Sequence, residues 1–573
     1  MASQQAAPTI LACKDSTGIS VLSGSPSYAP IATPANLGAS PRSFLYSPLG
    51  KYLVLVFADR LVLSKVTIEA VTVVHELPIT NALEIEFSPK ETYISTFIRY
   101  NPSANSATPA HRNVSVWNVE TGKEVFAYTQ KNASDWNVKW TEDESYCGIL
   151  VGNEVQFYES KSFSNGIASR LKLDCIKLFS MSPGRRPTVA IFYPEKNGSP
   201  GSVKLYDITN LQTPLSSKSF FRADSVNFYW NSLGTNVLVF THTDVDVTGK
   251  SYYGETSLYY LSITGNFDCK VTLDKPGPVH DVCWAPNAKE FVVVYGTMPA
   301  KATLFDHRAN PMYEFGNAAR NQVKFNSHGR FLFIGGFGNL AGDMDIWDRR
   351  SFKKMCTIKA SNSSSCDWAP DGKHIMTSTL YKRLKVDNGI KIWHYTGALV
   401  HQVQVKEMHQ TSWMPASRDL WPDRASLSPP PPSIASCAPA VSEGKYRPPG
   451  ARNTASSTNF YDRDAIDRGV VSTRGKRVPG AYIPGATPEH ERKNKTVQNG
   501  TTDSPAPITS GVIPGSNVEA EKRIKLISKK LKQIEDLKQK KDTGVTLELT
   551  QIQKIESEES LRAEMEKLTL SIA

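Results

Sequence analysis

Three groups of residues have the types and spacing to do chemistry. Gly336, Gly338 and Ala341, in GGFGNLAG, satisfy the pattern G-x-G-x-x-A directly after an apolar run, the arrangement that cradles a dinucleotide pyrophosphate. His280, beside Asp281 and close to Cys283 in GPVHDVCW, is the histidine most like a catalytic one. Asp343, Asp345 and Asp348 offer carboxylates to a divalent cation. Each group also has a plainer reading in its local element. A dinucleotide fingerprint must open a helix, whose N-terminus holds the phosphates. Here the next residues are GDMDIWD, a strand ending in a Trp-Asp pair, so the glycines are expected to supply positive φ in a turn. The plainer reading of His280 in GPVH is a hydrogen bond that ties neighbouring strands together at the start of a strand. The three aspartates alternate along a strand, face opposite sides and lack EF-hand spacing, which favours hydrogen bonding at a blade turn.

The elements that position these residues are repeats. FLFIGGFGNLAGDMDIW, residues 331–347, is a strand-turn-strand unit that cannot bury a face alone. Its pattern recurs as LYSPLGKYLVL at 45, IEFSPKETYIS at 85, VKWTEDESYCGIL at 138, LFSMSPG at 178, VNFYWNSLGTNVLVF at 226, VCWAPNAKEFVVVY at 282, VKFNSHGRFLFIGG at 323 and CDWAPDGKHIMTS at 366, and a ninth copy, SWMPAS, begins at 412. The turn positions Pro286, His328 and Pro370 recur every 42 residues, within the roughly 40–45 of a four-stranded propeller blade. Most copies are followed by an alternating strand that ends in an aromatic, such as NVSVWNV at 113 or GIKIWHY at 389. The ninth copy lacks downstream strands, whereas TILACKDSTGISVL at the N-terminus lacks a preceding anchor. Sharing one blade between the termini removes exposed edges, so an all-β fold is expected: a nine-bladed propeller over residues 1–420, with residues 10–22 beside residues 400–414.

Beyond the ring the composition changes. Residues 421–517, with SPPPPS at 428–433, have no sustained apolar period and read as a disordered Pro-rich basic linker. Inside it, Lys445, Tyr446 and Arg447 in KYRPPGAR, and Arg474, Lys476 and Arg477 in RGKRVPGAYIPG, could grip phosphates and stack a base. A solvated linker accounts for the same residues equally well. Residues 518–573 carry apolar positions at Ile524, Ile527, Leu531, Ile534 and Leu537, then, after DTG, at Leu549, Ile552, Ile555, Leu561, Met565 and Leu568, which predicts a helical hairpin. Residues 518–541 hold nine basic and four acidic groups, and 545–568 hold three basic and six acidic. An antiparallel pairing neutralises both. In the alternative, the basic face with Lys529 and Lys530 lies on RNA.

Composition restricts the classes further. The net charge is +11, of which the last 153 residues contribute +5, so an anionic partner such as RNA is expected. Eight cysteines without a C-x-x-C pair give neither a disulfide framework nor a zinc signature, which fits a reducing compartment. MASQQAAPTILACKDSTG has neither the basic nor the apolar region of a signal peptide, and the longest apolar stretch, YLVLVF, stops at Asp59. A cytoplasmic protein without a membrane segment is expected. The GTP-binding pattern G-x-x-x-x-G-K-[ST] is absent.

Three features in this order resemble one family over nearly the whole length: GGFGNLAGDMDIWD, the following TSTLYKRLKVDNGIKIWHYTG, and KYRPPGAR combined with a C-terminal helical hairpin. The chain resembles the eukaryotic translation initiation factor 2A family. The resemblance implies a nine-bladed propeller that binds the small ribosomal subunit and directs methionyl initiator tRNA to it, in a codon-dependent, GTP-independent way, for selected mRNAs. It implies other initiation factors as further partners, no cofactor and no enzymatic activity. Two alternatives are scaffolds. The propeller subunit of initiation factor 3 is expected to carry an RNA-recognition domain before its ring, whereas here the first strand signal begins near Thr9. A generic protein adaptor would bind without the steep salt dependence of phosphate contacts.

Overall fold

In the computed structural model the described residues are 7–34, 40–101, 112–131, 133–134, 136–173, 175–196, 199–220, 223–243, 254–423 and 425–433, together with Leu531, Ile534, Lys538, Glu558 and Arg562. Contacts divide the chain into two units, Met1–Tyr446 and Arg447–Ala573.

The described strands of the first unit form nine four-stranded antiparallel sheets, the blades of a closed propeller. We number them from the N-terminus. Blade 2 spans residues 43–77, blade 3 82–128, blade 4 139–172, blade 5 178–220, blade 6 225–270, blade 7 279–318, blade 8 322–359 and blade 9 365–404. In each of these the strands follow one another in sequence order. The second strands are the most buried, and two of them, Tyr52–Val56 and Phe331–Gly335, are buried at every residue. A strand in the middle of a blade is covered on both faces by the neighbouring blades, so it reads as an unbroken apolar run. Fourth strands, such as Lys353–Lys359, lie at the edge and are mostly polar and exposed. The core therefore sits between blades: Phe333, Met344 and Ile346 of blade 8 pack with Trp368 and Ile375 of blade 9. Truncating a fully buried phenylalanine such as Phe333 to alanine costs about 3–5 kcal/mol.

The small or polar residue in the recurring anchor has a physical role. It ends the first strand, and its side-chain oxygen accepts the backbone N–H that starts the second. Ser47 accepts from Tyr52 at 2.8 Å, Ser88 from Tyr93 at 2.9 Å, Thr141 from Tyr146 at 3.1 Å, Asn231 from Asn236 at 3.2 Å and Asn326 from Phe331 at 3.1 Å. One hydrogen bond thus closes the same tight turn in blade after blade.

Blade 1 closes the ring. It combines Ile10–Lys14, Ile19–Ser23 and Pro30–Ile31 with Gln410–Trp413 from the far end, in register Leu11 to Trp413 and Cys13 to Thr411. The terminal exchange expected from the incomplete ninth copy is present, within narrower limits than 400–414. Leu399–Gln404 pairs with Gly389–His394 as the fourth strand of blade 9, and the segment bonded to the N-terminal strand is 409–414. The described chain also runs on past Leu420, expected as the end of the ring. Trp421 is buried, its indole N–H donates to the Ala7 carbonyl at 2.8 Å, and its own carbonyl accepts from His328 Nε2 at 2.6 Å. Asp423 pairs with Arg350 at 2.6 Å, and the Ser428 N–H donates to the Tyr395 hydroxyl at 2.6 Å. Residues 434–517 of the expected linker lie outside the described residues.

In the second unit the five described residues are helical, and Ile534 is buried. Lys538 pairs with Glu558 at 2.5 Å, and Glu558 with Arg562 at 3.0 Å. The first pair joins the basic stretch to the acidic one.

Candidate nucleic-acid interface

Strand polarity divides the loops of the ring between two rims. First-to-second and third-to-fourth turns share one rim, here the turn rim. Second-to-third loops and the connections to the next blade share the other, the loop rim.

The three groups with chemical potential are structural. Residues 336–342 form the second-to-third loop of blade 8, between Phe331–Gly335 and Asp343–Asp348, and open no helix. Gly338 and Gly342 have φ of 72° and 90°. Gly336 is required for a different reason, since a Cβ there would stand 2.1 Å from the Ala319 carbonyl oxygen. Phe337, between them, is buried against Phe333, and its backbone N–H and carbonyl are both held by the Asn321 amide. His280 Nε2 donates to the Gly296 carbonyl across blade 7 at 2.8 Å. Asp281 accepts from Val323 of blade 8 at 2.8 Å, an interblade tie, and burial raises its carboxyl pKa above the ordinary carboxylate range. Burial also pushes the Cys283 thiol up to about 11, far from a nucleophilic thiolate. Asp345 pairs with Arg320 at 3.0 Å, and Asp348 accepts from the Arg350 N–H at 3.0 Å. Among the described residues no three His, Cys, Asp or Glu side chains cluster as metal ligands do.

The turn rim is interlocked. The Glu91 carboxylate accepts from the Leu49 N–H at 2.8 Å and that of Glu144 from the Lys90 N–H at 2.6 Å, so each turn caps the one before it. Asn326 reaches the other way, from the turn of blade 8 to the Gly372 carbonyl in the turn of blade 9, at 2.9 Å. Three arginines on this side are matched: Arg186 to Asp207 at 2.8 Å, Arg349 to Glu290 at 2.5 Å, Arg350 to Asp423. In blade 9, burial drives Asp371 up, but hydrogen bonds and the charge of His374, 2.6 Å away, outweigh it and hold the carboxyl below its usual range. Burial, reinforced by His374, lowers His394 to about 4, so it is neutral at physiological pH.

The loop rim differs at blades 8, 9 and 1. The second-to-third loop of blade 9, LYKRLKVDN at 380–388, presents Lys382, Arg383 and Lys385 to solvent, and the link from blade 9 to blade 1 presents Lys406. Among the described residues none of these four is in an ion pair. The loop is held in shape from below: the Tyr381 N–H donates to the Met408 carbonyl at 2.7 Å, the Leu380 N–H to Ser364 Oγ at 3.0 Å, and the buried Asn388 amide to the Leu384 carbonyl at 2.7 Å. Arg383 bonds the Asn339 side chain of the adjacent blade 8 loop, and Tyr381 meets the exposed His409 ring edge-to-face at 5.6 Å. Cations in no ion pair, beside partly exposed aromatic rings, can neutralise phosphates and stack a base.

Of the basic residues expected to contact RNA, Lys445, Tyr446, Arg447, Arg474, Lys476, Arg477, Lys529 and Lys530 all lie outside the described residues. Sequence reasoning did not single out Lys382, Arg383, Lys385 and Lys406 as a group. The signal was present, since YKRLK follows a strand and precedes an Asp-Asn-Gly turn, but Lys406 joins it only when blade 9 folds back.

Comparison with known proteins places the chain. The family described as Eukaryotic translation initiation factor eIF2A matches residues 218–411, and the one described as Eukaryotic translation initiation factor 2A C-terminal domain matches residues 522–568. Eukaryotic translation initiation factor 2A of Schizosaccharomyces pombe is 41% identical, covering 97% of this chain and 98% of that protein. The Dictyostelium discoideum protein of that name is 33% identical over 84% of this chain and 79% of its own. A solved structure described as the crystal structure of the eukaryotic initiation factor aligns with a TM-score of 0.66 and 40% identity, over 72% of this chain and 99% of that one.

Proposed function

Because the chain belongs to the eukaryotic translation initiation factor 2A family, we propose that it binds the small ribosomal subunit and directs methionyl initiator tRNA to it for selected mRNAs, codon-dependently and without GTP. The observation that carries this reading is likeness over 97% of the chain to a relative bearing that family's name, extending through ring and C-terminal region alike. In this reading the protein is a cytoplasmic binding factor rather than an enzyme. The loop rim at blades 8, 9 and 1 faces RNA, and Lys445, Tyr446, Arg447, Arg474, Lys476, Arg477, Lys529 and Lys530 of the tail add phosphate contacts. Other initiation factors are further partners.

Cosedimentation of the full chain with purified small subunits, labelled initiator tRNA and an AUG template, without GTP, tests it. Subunit-bound tRNA that requires both the template and the protein is the expected result. A protein that stays in the supernatant at low salt overturns the reading.

A second reading, a propeller adaptor for proteins, is favoured by the turn rim. There Leu49 and Leu233, 61% and 62% exposed, border a depression of about 770 Å³ with Pro89 and Pro183. Binding of a protein partner that survives high salt while subunit binding is absent would select it.

A further inference from the structure

Beneath the 380–388 loop, the face of blade 9 turned toward blade 8 is polar where the rest of the interblade core is apolar. Thr379, Lys391, Gln402 and Gln404 project from three adjacent strands in matched register, Thr377 to Lys391, Lys391 to Gln402 and Gly389 to Gln404. With Asn362 from the blade 8 to blade 9 connection and Asp387 from the loop, they line a pocket of about 250 Å³. Gln402, Gln404 and Asn362 are exposed, and their amides carry both donors and acceptors. Among the described residues Lys391 is in no ion pair. The pocket thus offers mixed hydrogen-bonding groups between two sheets, and it shares Asp387 and Asn388 with the loop that carries the unpaired cations and Tyr381.

We propose that this pocket and the 380–388 loop together form a binding site for single-stranded RNA on the propeller itself, separate from the basic clusters of the tail. Lys382, Arg383 and Lys385 hold successive phosphates, Tyr381 and His409 supply ring faces, and one unstacked base enters the pocket, where Gln402, Gln404 and Asp387 meet its edge. A single strand fits and a duplex does not, because in A-form RNA the base edges needed for this contact are paired and stacked. The loop is already held by Met408, Ser364 and Asn388, so little ordering accompanies binding. The inference deepens the initiation-factor reading and rests on it for the identity of the RNA, though not for the site's chemistry.

The test uses the full chain and short fluorescent oligoribonucleotides, with affinity measured across a salt series. Lys382→Gln, Arg383→Gln and Lys385→Gln together alter exposed side chains only. They are expected to weaken binding to every sequence alike and to flatten the slope of log affinity against log salt by about 2, three phosphates at about 0.7 each. Gln402→Ala with Gln404→Ala is expected to leave that slope unchanged but to alter the ratio of affinities among oligo-U, oligo-A and oligo-C by about five-fold or more. Unchanged slope in the loop variant, or a duplex that competes as well as a single strand, overturns the proposal. Running the loop variant with small subunits separates the two readings. Lost subunit binding with intact oligonucleotide binding assigns the loop to a protein surface and leaves the initiation-factor reading standing. Lost oligonucleotide binding in a protein whose wild type never sediments with the subunit does the reverse.

Discussion

The indole of Trp421 donates to the carbonyl of Ala7 at 2.8 Å, joining two residues 414 positions apart in the chain. Trp421 is 7% exposed and sits over the turn rim, where His328 holds its carbonyl, so the ring is closed twice, once by strand pairing in blade 1 and again by this clasp.

Replacing Trp421 separates the parts of that clasp. Trp421→Phe keeps most of the burial and is expected to lose about 1 kcal/mol with the hydrogen bond. Trp421→Ala is expected to lose about 3–5 kcal/mol. Urea midpoints read both losses, and limited proteolysis of Trp421→Ala should cut first near the N-terminus. Equal stability of all three forms would show that the clasp contributes nothing.

The glycines of 336–342 separate two kinds of constraint. Gly338→Ala meets no atom within 4 Å but must adopt φ near 72°, and is expected to cost about 1 kcal/mol. Gly336→Ala drives a methyl into the Ala319 carbonyl and is expected to cost more, with a lower melting temperature as the readout. If Gly338 proves the more sensitive position, turn geometry rather than packing governs this loop.

Asp281 accepts two backbone N–H groups, from Val282 and Val323, both at 2.8 Å. The two donors are met by different oxygens, Val282 by Oδ1 and Val323 by Oδ2. An asparagine amide has one oxygen, so Asp281→Asn keeps one bond, turns its NH2 toward the other N–H and is expected to lose about 1–3 kcal/mol, and Asp281→Ala, which leaves both donors unmet, is expected to lose at least as much. Wild-type stability of Asp281→Asn in urea melts would show that one of the two bonds contributes nothing.

Acid should weaken the ring through His394. Its native pKa of about 4 lies below the ordinary 6.5, so the unfolded chain takes up the proton first and stability falls as pH drops from 6.5 toward 4. At 1.36 kcal/mol per unit, the loss reaches about 3 kcal/mol. Asp371, whose native pKa is lowered, adds a further loss in the range below its ordinary 3.8. Melting temperatures of wild type and His394→Asn across this range decide the point, since the variant should lack the slope between pH 6.5 and 4.

Much of the ring was legible in the chain. Residues 331–335 are apolar without a break because a central strand is covered on both faces, and Ser47, Ser88 and Asn326 recur because each closes the same turn with one hydrogen bond. The glycine loop was separated from a phosphate cradle by the strand that follows it, and His280 was read as a blade tie. These are local effects, set by residues within one hairpin, and local effects leave a period in the sequence. The tail residues from Lys445 to Lys530 could be named as cation clusters, but they lie outside the described residues.

Other features came only from tertiary structure. Lys406 stands with Lys382, Arg383 and Lys385 because Met408 accepts from Tyr381, and Gln402, Lys391 and Thr377 line one face because three strands align in register. Trp421 meets Ala7, and of the expected 400–414 only 409–414 bonds to the N-terminal strand. Composition and spacing by themselves determined a closed array of β-blades, since alternation and turn chemistry depend on near neighbours. Which cations share a rim, where a polar pocket opens between blades and how the ends lock depend on ring closure. That closure sets residues hundreds of positions apart at hydrogen-bonding distance, and it leaves no period to read.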